Sequence, residues 1–88
     1  MNIYHILVTH EYKAKDILLN LKSTDQFAEF AKKHSICSSA ISGGDLGLFR
    51  SGRFAQAFEE ACGELKINII SKPVRTQFGW HIILKMIK

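Results

Sequence analysis

The side chains able to do chemistry in this chain of 88 residues are few: four histidines, two cysteines and a short glycine-rich turn. One histidine, one cysteine and the turn itself fall together in the stretch from His34 to Phe49. There a histidine and Cys37 are followed by small hydroxyl residues, a double glycine at Gly43 and Gly44, and an apolar exit through Leu46 and Leu48. Glycines and small residues let a backbone turn tightly and approach a ligand closely. A reactive-type side chain at the mouth of such a loop marks a candidate site rather than a connector.

Three chemistries compete for it. His34 and Cys37 have a metal-ligand spacing, but a structural zinc site needs four ligands in two close pairs, and no second pair exists. The run Gly43-Gly44-Asp45-Leu46-Gly47 lacks the dinucleotide and P-loop patterns, and it leads into a strand instead of opening a helix, so it does not read as a phosphate cradle. A thiol nucleophile at Cys37, with His5 or His81 as base, remains open beside the plainer reading of a buried cysteine. Nucleophilic catalysis needs a thiolate, a base and an oxyanion site, and no thiol-protease signature surrounds Cys37.

The elements that must carry these residues read clearly. Ile3 to Val8 is an apolar run of strand formers, expected as a buried central strand holding His5. From Glu11 to Lys22, Ala14, Ile17, Leu18 and Leu21 recur at helical spacing, an amphipathic helix with one buried face. Ser23 and Gln26 have capping-box spacing and are expected to start a second helix, with Phe27, Phe30, Ala31 and His34 as its stripe. Asp45 to Phe49 reads as a short strand and Arg50 to Arg53 as a polar turn. Phe54, Ala57, Phe58 and Ala61 give a third helix running through Cys62, itself read as a small buried hydrophobe. Lys66 to Val74 is β-rich, with Pro73 suited to an edge strand. After a turn at Thr76 to Gly79, a strand from Trp80 to Ile87 places Trp80, Ile82, Leu84 and Met86 on one face and His81, Ile83, Lys85 and Ile87 on the other. The order strand, helix, helix, strand, helix, strand, strand predicts an α+β fold in a single domain over residues 1–88.

Composition bounds the function. An apolar fraction of 47% against 23% charged excludes a disordered tail, and no apolar run is long enough to span a membrane. The net charge is +4, but the 12 basic residues are scattered among 8 acidic ones rather than striped, so nucleic-acid binding beyond weak non-specific attraction is not expected. The first residues lack a basic segment and a cleavage site, so the expectation is a cytoplasmic protein with both cysteines free.

Taken together, His5 to Val8, Ser35 to Ala40, Gly43-Gly44-Asp45-Leu46-Gly47-Leu48-Phe49, Phe58-Glu59, Pro73-Val74 and Thr76-Gln77-Phe78-Gly79-Trp80-His81-Ile82-Ile83 resemble, in order and over essentially the whole chain, the parvulin family of peptidyl-prolyl cis/trans isomerases. The resemblance implies a four-stranded antiparallel sheet with surrounding helices, and a monomer acting on proline-containing polypeptides without cofactor or metal. It implies that His5 and His81 are neighbours in a hydrogen-bonded network with Cys37 and Thr76 beside them as catalytic residues. It also implies a proline pocket of Leu46, Phe54, Phe58 and Phe78 with Gln77 at its rim. Cys37 is then expected to act through hydrogen bonding and electrostatics, not as an attacking thiolate. A non-catalytic holdase using the same groove is the alternative.

Two departures from the family pattern matter. Phe54 and Ala55 stand where many relatives carry methionine followed by glutamine or valine, which makes the pocket wall bulkier. Asn68 replaces a common Gly-Glu turn, and asparagine is expected to keep the left-handed conformation. The link between the first strand and first helix is too short and too poor in arginine to clamp a phosphate, so no preference for phosphorylated residues before proline is expected.

Overall fold

A computed structural model describes residues 1–87. Strand β1 (Asn2–Val8) is followed by helix α1 (Glu11–Asn20), a 3-10 turn (Thr24–Gln26), helix α2 (Phe27–His34) and a second 3-10 segment (Ser38–Ser42). Then come β2 (Asp45–Leu48), α3 (Gln56–Glu64), β3 (Val74–Thr76) and β4 (Gly79–Met86). The four strands form one antiparallel sheet in the order β2-β1-β4-β3. The expected α+β class and element order are those of the structure.

The sheet separates two apolar layers, and the alternation of β1 and β4 decides which residues enter each. On one side Ile6, Val8, Ile82 and Leu84 pack against Ala14 and Ile17 of α1 and Phe27 and Ala31 of α2. On the other, Ile3 and Ile83 pack against Phe58 and Cys62 of α3. His5 and His81 point to this second side, where only one short helix covers the sheet and room is left for a cavity. Burying β1 on both faces explains its almost continuous apolar sequence.

Several boundaries differ from the sequence reading, each for a local reason. Helix α1 stops at Asn20, because the Lys22 N–H is taken by the Gln26 side chain at 2.8 Å and the chain turns there. Ser23 makes no side-chain cap, so the capping box is not formed and α2 begins only after the 3-10 turn. Helix α3 starts at Gln56, which leaves Phe54 in the preceding loop. The β-rich run from Lys66 is mostly irregular: it turns at Asn68, with φ 67, as expected of asparagine, and touches the sheet through one bridge, Ile70 opposite Leu84. Only Val74–Thr76 pairs fully, on the outer side of β4, with Pro73 just before this edge strand.

The double glycine is required where it stands. Gly43 and Gly44 have φ 68 and 85, a region open mainly to glycine. A Cβ on Gly44 would lie 2.4 Å from the His5 carbonyl oxygen. This close crossing seats the 3-10 segment directly beside β1, and the His5 N–H donates to the Gly44 carbonyl at 2.9 Å.

Candidate active site

The cavity lies on the α3 side of the sheet, with a volume of about 500 Å³. His5 from β1 and His81 from β4 form its polar floor, both buried. Their Nδ1 atoms are 2.9 Å apart and their rings are nearly parallel, at 23°. The chain of contacts extends at both ends. His5 Nε2 lies 3.2 Å from Ser39 Oγ, and His81 Nε2 lies 2.7 Å from Thr76 Oγ1. Thr76 Oγ1 also accepts the Phe78 N–H at 3.2 Å, which ties the β3–β4 turn to the network.

Burial holds both imidazoles down to a pKa of about 4, and for His5 the positive charge His81 would carry adds to the effect. At neutral pH both rings are uncharged. Each neutral ring donates from one nitrogen and accepts at the other. Along Ser39, His5, His81 and Thr76 the donors can therefore run in one sense throughout, with a hydroxyl at either end able to give or take the terminal bond. The floor of the site is polar, fully paired and uncharged.

The walls are apolar. Phe58, from α3, stands edge-on to both histidines, with centroids 5.7 Å from His5 and 5.0 Å from His81. Phe54 packs against Phe58 at 5.0 Å. Leu46 of β2 closes one side, while Gln77 and Phe78 of the β3–β4 turn form the rim, Phe78 with 60% of its surface exposed.

The residues expected at the site thus come together, with one correction. Cys37 lines the cavity but makes no hydrogen bond through its sulfur among the described residues, so the network runs through Ser39 instead. Ser39 was missed because four serines share that stretch and spacing alone does not say which one faces β1. Ala55 lines the wall beside Phe54, and Arg53 and Leu7 also line the cavity without having been singled out. No group of three or more potential metal ligands assembles among the described residues. Cys62 is buried, its thiol pushed up to about 11 mainly by desolvation, which fits the packing role read for it.

A family model for the rotamase, or PPIC-type PPIase, domain matches residues 5–87. The chain belongs to the PPIC-type peptidyl-prolyl isomerase family, the parvulins. It is 48% identical over 84 residues to the foldase protein PrsA of Caldanaerobacter subterraneus, covering 94% of this chain and 28% of that protein. The parvulin of Nitrosopumilus maritimus superposes with a TM-score of 0.86 at 38% identity, covering 98% of this chain and 94% of that one. A chain from the SurA-like chaperones PEB4 and Cj1289 of Campylobacter jejuni superposes at 0.91 with 39% identity, covering 98% of this chain and 37% of its own. The chain therefore spans under a third of the PrsA relative's length. Cj1289 is described as periplasmic, so the cytoplasmic location expected from the first residues finds no support among these relatives. No helix among the described residues is long and apolar enough to cross a membrane.

Proposed function

We propose that residues 1–88 form one isomerase domain that rotates X-Pro peptide bonds in polypeptides and so assists their folding, as the foldase name of the relative suggests. The observation that carries this reading is an uncharged, fully paired histidine floor beneath an aromatic pocket. Rotation about an X-Pro bond has a barrier near 20 kcal/mol because amide resonance must be broken, and no bond is cleaved. A pocket of Phe54, Phe58, Phe78 and Leu46 holds the prolyl ring. The water-poor floor favours the twisted amide, which is less polar than the planar one. Each 1.36 kcal/mol of preference for that twisted state is worth about tenfold in rate.

In this reading His5, His81, Thr76 and Ser39 act as one polar unit, Gln77 borders the bound peptide, and Cys37 meets the substrate from the cavity wall. No thiolate attack is involved: the thiol has no hydrogen-bonded base, and both imidazoles are already engaged. The β1–α1 link is only Thr9 and His10, which supports turnover without a phosphate requirement. Exchange NMR on an Ala-Pro peptide, with and without protein, tests the proposal. Catalysed cis/trans exchange is expected, whereas peptide binding without any rate gain would turn the groove into a holdase.

A further inference from the structure

The cavity carries one full charge of its own. Its lining includes no carboxylate, the two imidazoles are neutral, and Arg53 enters from the loop between β2 and α3. This loop is fixed. Glu59 accepts the Gly52 N–H at 2.6 Å, the Phe54 N–H at 3.1 Å and the Ser51 hydroxyl at 3.4 Å. Those bonds, the Phe54 N–H foremost, hold the Glu59 carboxyl below its ordinary range, and they pin the residues on both sides of Arg53.

The Arg53 guanidinium lies 5.5 Å from the centroid of the Phe54 ring, on the wall that receives the proline. It forms no ion pair among the described residues, whose salt bridges are Lys15–Glu11 and Lys33–Glu29. A guanidinium against an aromatic face leaves its N–H donors free for a carboxylate, which they match two at a time.

We propose that Arg53 makes the site select polypeptide segments with aspartate or glutamate next to the proline it turns. The proposal rests on the isomerase reading. A carboxylate flanking the ring would meet the guanidinium while the ring occupies the pocket, and lysine there would be repelled.

Exchange NMR on matched peptides with Glu, Gln or Lys on either side of one proline tests it through ratios of kcat/KM. At low salt the wild type should favour Glu over Gln about two- to fivefold at one flank or both, as an exposed charge pair allows, and disfavour Lys. In about 1 M salt, where the screening length falls to about 3 Å, the ratio should approach one. Arg53→Gln should remove the ratio and Arg53→Glu should reverse it, with thermal melts confirming that both variants fold. Because the net charge of the chain also draws acidic peptides, a Glu preference that survives Arg53→Gln overturns the assignment to Arg53. Equal turnover of Glu and Gln peptides by the wild type at both flanks overturns it as well. Absence of turnover on every peptide removes the isomerase reading, and this proposal with it.

Discussion

Acid should destabilise this domain through its histidine pair well before its carboxylates titrate. In the unfolded chain each imidazole titrates near 6.5, and in the fold near 4. A depressed folded value means that the unfolded state binds protons first. The stabilisation is therefore complete above about pH 6.5 and is lost as pH falls toward 4. Between pH 7 and 5 the loss is about 2 kcal/mol for one such group and about 4 kcal/mol for the pair. Against the roughly 5–15 kcal/mol total of an ordinary domain this is a large share. The window from pH 7 to 5 isolates the effect, because unfolded carboxylates gain their protons mainly below it. His10 and His34 are exposed and lie outside the pair. Urea unfolding at half-unit steps of pH reads the slope directly. The double variant His5→Gln with His81→Gln should lose most of that slope whatever its absolute stability. Wild-type stability constant to within about 1 kcal/mol from pH 7 to 5 would refute the reasoning, as would an NMR titration placing either buried ring near 6.5.

Other outcomes follow from the same geometry. Phe78→Ala, at the exposed rim, should change stability by less than about 0.5 kcal/mol while raising KM for an Ala-Pro peptide, up to about tenfold. Phe58→Ala removes a ring only 2% exposed, and should cost about 3–5 kcal/mol in chemical denaturation as well as activity. Gly44→Ala puts a side chain against the His5 carbonyl at positive φ, and should lower unfolding free energy by about 2 kcal/mol or more. Cys37→Asp should retain more isomerase activity than Cys37→Ala, and mass spectrometry should find no covalent peptide adduct on the wild type. An adduct at Cys37 would overturn the non-covalent mechanism.

Periodicity made the frame readable. The α1 and α2 stripes and the alternation in β4 follow from burial on known faces, and the structure buries those faces except at His34, which ends α2 exposed to solvent. Pairing His5 with His81 is another matter, since they stand 76 positions apart and each looks like a lone core histidine. Only the resemblance over the whole chain brought them together. The run after Lys66 misled because its composition suits a strand while its backbone does not. Asn68 turns it, and before Val74 it meets β4 at isolated points: the N–H groups of Asn68 and Ser71 donate to the carbonyls of Lys85 and Ile83, and Ser71 Oγ accepts the Ile83 N–H. The Glu59 clamp was hidden for a related reason: its partners lie in a loop just before the helix, where no repeat signals contact.

The first and last strands lie side by side at the centre of the sheet, with Asn2 opposite Met86. During synthesis, β1 leaves the ribosome before the other three strands and waits for nearly all of the domain before β4 can join it. Until then His5 has no ring to pair with, the floor of the cavity is missing, and β1 exposes an apolar edge. Closing so long a loop is entropically costly and slow, and before it closes β1 can pair only with β2 on its other edge. A half-made domain of this kind has no activity to offer, and is itself in need of the help that the finished one would give.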